Sequence, residues 1–294
     1  MSWQFADSAR IVKSGRYKAR AFSNLAKFDS TIALSQTLLP IARRNSYWSE
    51  MKYVLNLPAL AHTFNAEYDK ALAYNFESLE LRKKHEDKFS VAIALSNTGL
   101  VYYKVKSYAQ ALEYFQKAHN IRSVNGERLT SVEKDVYEIE LVNISICYSF
   151  LNDLIKADEF IDKAYQSCQD GCGDHILMMV HFGSGEVNFK RGNVELGSKK
   201  FLESLSLARK VSDQRFQLDN LIYLSQISIG SNKLMLAEQY LEQAEALVQP
   251  GLLFYLELVK IYSQLFSTLY KVWQLPKGRR LSIQIHSNLR QHLQ

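Results

Sequence analysis

Proline is scarce in this chain. The four prolines are Pro40, Pro58, Pro250 and Pro276, so the whole stretch from Ala59 to Gln249 lacks the residue that helix interiors tolerate worst. That absence admits helix after helix. Cysteine is nearly missing as well: Cys147, Cys168 and Cys172 are too few for a disulfide framework, and odd in number. The segment CQDGCGDH, with His175 and His181, offers thiolate and imidazole ligands for zinc, but at a loose spacing. A glycine-rich turn between helices, with free thiols, accounts for the same letters. No metal or cofactor is expected.

Long apolar runs are absent too. The nearest approach, Gly251 to Phe266, is interrupted by Glu257 and Lys260 at spacings that suit an amphipathic core helix, so no membrane span is expected. Residues Met1 to Arg20 are polar and basic without the apolar centre of a secretory signal, which places the chain as written in the cytoplasm. The alternative is a periplasmic sensor region whose signal and membrane segments are missing. Acid is absent from Lys271 onward, where Lys271, Lys277, Arg279, Arg280 and Arg290 hold +5 of the net charge of +6. The body is therefore nearly neutral, and the basic balance does not argue for a nucleic-acid partner. No glycine-rich phosphate loop, paired-histidine metal motif or nucleophile elbow occurs, and the seven histidines are scattered. Acidic pairs such as Glu138 with Glu140, or Asp158 with Glu159, read as solvated helix faces. No enzyme is expected.

What the chain does have is apolar material, 47% of residues against 22% charged, and an internal repeat. The clearest unit runs from Ala92 to Asn125. Leu95, Gly99 and Tyr102 fall at helical spacing, the turn KVKSY follows, and Ala111, Phe115 and Ala118 restore the spacing. Small side chains let two helix backbones approach, so Gly99, Ala111 and Ala118 read as close contacts, with Tyr102, Tyr108 and Phe115 filling the space between pairs. The frame recurs. Thr31, Ala71 and Ala111 follow one another at 40 residues, Ala157 comes 46 later, and Gly197 and Ala237 each 40 after that. Six units share one register.

These residues resemble the tetratricopeptide repeat, whose signature is a small residue in each helix of a pair with aromatics at these offsets. The resemblance covers about Lys13 to Gln249, with units longer than the family's usual length and similar to those in the sensor regions of bacterial two-component or transcriptional regulators. It implies an all-α fold: a right-handed superhelical solenoid of antiparallel helix pairs. Residues 1–51 are expected to form a degenerate N-terminal cap hairpin and 52–250 the tandem repeats. Residues 251–294 are expected to form an incomplete repeat with an aberrant tail from about 272. Back-translated with free codon choice and read one position earlier, that tail can be written GNYQRAAVYQFKFIQTYDSIY, which restores the turn glycine and paired alanines. A frameshift and a poorly packed basic terminus are the two readings of it. Within the repeats, Pro58 is expected to kink or restart its helix, and SVNGERLTSVEKD to lengthen one corner.

In this fold the first helix of each pair lines a concave groove. On the shared frame Tyr53, Asn56, Leu60 and Phe64 turn inward, followed by Ser96, Asn97, Leu100, Tyr103 and Lys104. Val142, Asn143, Ile146 and Phe150 come next, then Phe182, Glu186, Phe189 and Lys190, then Tyr223 and Gln226. Asn97 and Asn143 occupy equivalent places, where an amide can give a donor and an acceptor to an extended peptide, as asparagine does in peptide-binding members of the family. A solvated or capping amide is the other reading, and Phe150 and Phe189 equally suit a core. The resemblance thus implies a non-enzymatic, protein- or peptide-binding scaffold, the sensor or interaction region of a bacterial regulator. A peptide-responsive phosphatase-type regulator is the alternative, and the first 50 residues are short for the bundle that it needs. Homo-oligomerisation stays open.

Overall fold

The computed structural model describes residues 2–25, 27–85, 88–123, 131–169 and 171–247. Among them are twelve helices and no strand. They are α1 (Ser2–Asn24), α2 (Phe28–Arg44), α3 (Trp48–Phe64), α4 (Tyr68–Lys84), α5 (Lys88–Lys104), α6 (Tyr108–Ser123), α7 (Ser131–Phe150), α8 (Leu154–Gln169), α9 (Asp174–Arg191), α10 (Val194–Lys210), α11 (Gln214–Gly230) and α12 (Leu234–Glu245). The tail from 251 and the insertion at 124–130 lie outside the described residues. Two compact units are formed, Met1–Ala164 and Tyr165–Gln294.

The repeat frame maps onto the helices position by position. Thr31, Ala71, Ala111, Ala157, Gly197 and Ala237 are each the fourth residue of the second helix of a pair, and all six are buried. A second set lies in the first helices. Ala19, Ala59, Gly99, Ser145, Gly185 and Ser225 are buried, and sixteen residues later so are Ser35, Asn75, Phe115, Ile161, Phe201 and Leu241. Where the first member is glycine the second is phenylalanine. A Cβ built on Gly99 would lie 2.8 Å from the Phe115 ring, and one on Gly185 would lie 2.7 Å from Phe201. The missing methyl is thus the space into which the ring packs.

In unit 1, consecutive helices pack from α1 through α7, and α1 touches α3 as α3 touches α5, so the first helices of successive pairs are neighbours. Ser145 Oγ donates to the carbonyl of Ala157 at 2.6 Å, tying α7 to α8. Three pairs carry a stacked ring couple at one frame position: His62 on Tyr74, Tyr102 on Tyr114, and Tyr148 on Phe160. In unit 2, α9 through α12 pack consecutively around Phe201, Leu221, Leu224 and Leu241.

The turns within pairs also repeat. Ala66, Lys106, Asn152, Gly192 and Asn232 all have positive φ, between 53° and 87°. After each, the next N–H returns to the carbonyl five residues back, as in Ser107 to Tyr102 at 2.9 Å and Lys233 to Ser228 at 2.8 Å. This is the left-handed helix stop that satisfies orphan carbonyls, and in four of the five turns it is made without glycine.

Two sequence expectations are corrected here. Pro58 does not restart its helix: α3 runs unbroken from Trp48 to Phe64 with Pro58 inside and buried. The packing of Leu55 and Ala59 on either side holds the backbone although one ladder bond is lost. Glu138 and Glu140 are not on a solvated face. They are 0% and 1% exposed, because that face of α7 turns toward α5 and α6.

Candidate functional site

Each helix places its predicted groove residues by the same spacing, but their surroundings differ. On α3, Tyr53 is exposed, with the Arg16 guanidinium 4.5 Å from its ring centre. Asn56 accepts a hydrogen bond from Ser78 Oγ at 3.1 Å. Leu60 and Phe64 are half-buried; Phe64 stacks on Phe28 at 5.4 Å and meets the Lys104 ammonium at 6.0 Å. On α5 and α7, Leu100, Tyr103 and Phe150 join a cluster with Tyr108, whose ring stacks on Phe150 at 4.3 Å. Val142 and Ile146 are buried, so they fill the core of unit 1 and do not present to solvent.

Ser96 donates to the carboxylate of Glu140, which also pairs with Arg122 of α6. Three helices meet at this bond. Arg122 is fully buried, with its guanidinium 5.0 Å from the Phe89 ring. The pair was not legible from the sequence, although one signal existed: Arg82, 40 residues earlier on the shared frame, is also fully buried. It donates to Ser78 Oγ, to the Ser90 carbonyl and to the Lys52 carbonyl at 2.7–2.9 Å.

Asn97 follows Ser96 directly, and Asn143 lies one turn after Glu140, so the Ser96–Glu140 bond draws the two asparagines' helices together. Both are half-buried. Among the described residues neither side-chain amide has a hydrogen-bond partner, in contrast to Asn188, whose amide caps the Ser184 carbonyl, and Asn220, whose amide caps that of Phe216.

No protein-family model matches this chain, and no curated protein matches its sequence. Solved structures do. The apo form of RapI shares 15% identity at a TM-score of 0.66, over 81% of this chain and 83% of that one. NprR in complex with its cognate peptide NprX shares 13% at 0.65, over 96% of this chain and 77% of its own. A Rap protein complexed with Competence and Sporulation Factor shares 18% at 0.63, over 87% and 66%. The fold is a tetratricopeptide-like helical repeat. At such identities the likeness establishes the fold alone.

In unit 2, Phe182, Phe189, Glu186 and Tyr223 come together. Tyr223 lies 5.7 Å from Phe182 and 5.6 Å from Phe189, and its hydroxyl donates to Glu186 at 2.5 Å. Glu186 is buried, and the Tyr223 ring stacks on the core residue Phe201, so these rings belong largely to packing between α9, α10 and α11. Lys190 is exposed and Gln226 half-buried.

Behind them sits a titratable cluster that the sequence did not announce. His181 Nδ1 faces the Tyr165 hydroxyl at 3.0 Å and the Glu203 carboxylate at 3.1 Å, and Lys200 pairs with Glu203 at 2.9 Å. Burial holds the His181 imidazole below its ordinary pKa, with help from the Lys200 charge and against that of Glu203. Burial raises the Glu203 carboxyl, but the hydrogen bond and charge of Lys200 take it below the usual range. Among the described residues no group of three His, Cys, Asp or Glu side chains is placed to hold a metal ion. Cys168 and Cys172, expected as free thiols, are bonded to each other, and Cys147 is a buried thiol outside any disulfide. No described helix is long and apolar enough to cross a membrane.

Proposed function

We propose that unit 1 holds an extended protein or peptide segment against α3, α5 and α7, and that the chain is a non-enzymatic interaction region of a regulator. The observation that carries the reading is the pair Asn97 and Asn143. They are two equivalent, half-buried amides on neighbouring first helices with no partner among the described residues. An extended backbone offers alternating donors and acceptors, which such amides match. The half-buried Leu60, Phe64 and Leu100 supply apolar surface nearby. NprR and the Rap protein, which have this fold, were solved with a peptide and with Competence and Sporulation Factor.

The test is a peptide-array screen with the parent protein and an Asn97→Ala/Asn143→Ala variant matched for thermal stability. Each amide lost leaves a ligand group unpaired at a cost of about 1–3 kcal/mol, so the double variant should bind the recovered peptides more than tenfold more weakly. Glu113→Ala and Lys117→Ala, which break an exposed pair on α6, should leave binding unchanged. Undiminished binding by the double asparagine variant would refute the amide contacts, and loss of binding in the α6 variants alone would refute the groove.

A further inference from the structure

The turn from α8 to α9 carries a covalent feature that peptide binding does not use. Cys168 stands in the last turn of α8, Cys172 stands two residues before α9, and their sulfurs are bonded with the Cα atoms 4.7 Å apart. We propose that this pair is a reversible dithiol–disulfide site that exchanges with small thiols of the glutathione class and sets the stiffness of the α8–α9 corner.

Three observations support exchange over static stapling. The bond spans only four residues of sequence, so it closes a small loop and removes little entropy from the unfolded chain. The turn is also held without it. Gly171 and Cys172 N–H both return to the Cys168 carbonyl, at 3.0 and 3.4 Å, and Ile176 and Leu177 N–H return to the Gly173 carbonyl at 3.0 Å. Gly171 has φ of 94°, a conformation that side chains disfavour, and it carries the chain back so that Cys172 reaches Cys168. Finally, both cysteines are half-buried and not enclosed, whereas Cys147, the third, is buried in unit 1. Access is a requirement for thiol–disulfide exchange, and only this pair meets it.

The chemistry balances with glutathione disulfide as the oxidant. One protein thiolate attacks a glutathione sulfur, forming a mixed disulfide and releasing one glutathione thiolate. The second cysteine then attacks the protein sulfur of the mixed disulfide and releases the other. Two S–H bonds of the protein and one S–S bond of glutathione become one S–S bond of the protein and two S–H bonds of glutathione, with two electrons passing from protein to glutathione. The reverse sequence restores the two thiols and leaves the corner to its backbone hydrogen bonds alone. One turn before Cys168, the Tyr165 hydroxyl remains bonded to His181 of α9, so loosening is confined to the segment beyond it.

The experiment equilibrates the full chain across a series of reduced-to-oxidised glutathione ratios, traps free thiols by alkylation, and locates them by peptide mass spectrometry. Hydrogen exchange is measured at both ends of the series. Cys168 and Cys172 should lose two hydrogens together at an intermediate ratio while Cys147 stays alkylation-resistant until unfolding. Backbone exchange over residues 165–173 should be several-fold faster in the reduced protein, with α10–α12 unchanged. Three results would overturn the proposal. The pair stays as thiols, or as lasting glutathione adducts, in oxidised glutathione. The pair resists excess reduced glutathione and yields only to a strong dithiol, which makes it a static staple. The pair exchanges but the exchange rates over 165–173 do not change. A Cys147→Ser protein repeats the titration with two cysteines; because peptide mapping assigns each thiol in the parent, the outcome does not depend on that variant folding.

Discussion

Gly99 of α5 packs against the Phe115 ring of α6: a methyl group added at Gly99 would come within 2.8 Å of a ring carbon. The ring is 1% exposed, so it must shift within the core to make room. Gly99→Ala should therefore destabilise by about 1–3 kcal/mol despite the better helix propensity of alanine. Phe115→Ala should cost about 3–5 kcal/mol by leaving a cavity. In a double-mutant cycle, Phe115→Leu should absorb part of the Gly99→Ala penalty, read as a positive coupling in urea titrations. Additive losses would show that the two side chains do not share this space.

Lys106 occupies the left-handed stop of the α5–α6 turn with φ of 62°, where a side chain costs roughly 1 kcal/mol relative to glycine. Lys106→Gly should stabilise the protein by up to about 1 kcal/mol, and Ala66→Gly, at φ of 53°, should do the same. The denaturation midpoint checks this, and a fall in midpoint for both would contradict the turn geometry.

The Arg122–Glu140 pair is fully buried, so removing one member strands the other charge. Glu140→Leu alone should cost about 3–5 kcal/mol, whereas Arg122→Met with Glu140→Leu should recover most of that loss, since matched apolar replacement of a buried pair is often neutral. Calorimetric unfolding of the three proteins measures it. Equal destabilisation by the single and double variants would mean that the pair holds α5, α6 and α7 in a way that apolar side chains cannot replace.

His119 and His181 are both held below the ordinary histidine value of 6.5, chiefly by burial. Lys163 and Arg122 add to this at His119, and Lys200 adds at His181 while Glu203 opposes it. The folded protein thus resists protonation that the unfolded chain accepts. Stability should be level above the unfolded value of about 6.5 and decline as pH falls below it, the unfolded state binding more protons there. His119→Phe, which keeps the ring stack on Tyr137, should flatten that decline in midpoint-versus-pH curves. Stability that rises on acidification from 7 to 5 would reverse the sign and refute the burial argument.

The helix positions of the candidate groove residues were legible because the frame is local. Asn97 and Asn143 were placed from the spacing of Ala111 and Ala157 and stand half-buried on α5 and α7. Val142 and Ile146 satisfy the same spacing yet lie in the core. Spacing tells which face of a helix a residue occupies, but not how closely the next helix covers that face.

The sequence alone determined the helix pairs, their turns and the small buried positions, since helical periodicity and close approach depend on neighbours within one pair. Thr31, Ala71, Ala111, Ala157, Gly197 and Ala237 follow from the repeat spacing alone. Only the tertiary structure decided that Glu140 meets Arg122 and Ser96 from three different helices, that His181 sits between Tyr165 and Glu203, and that Cys168 reaches Cys172. Those contacts depend on the register and rotation of one helix against another, or on the path of a turn. Side chains distant in sequence fix the first, and a single glycine at positive φ fixes the second.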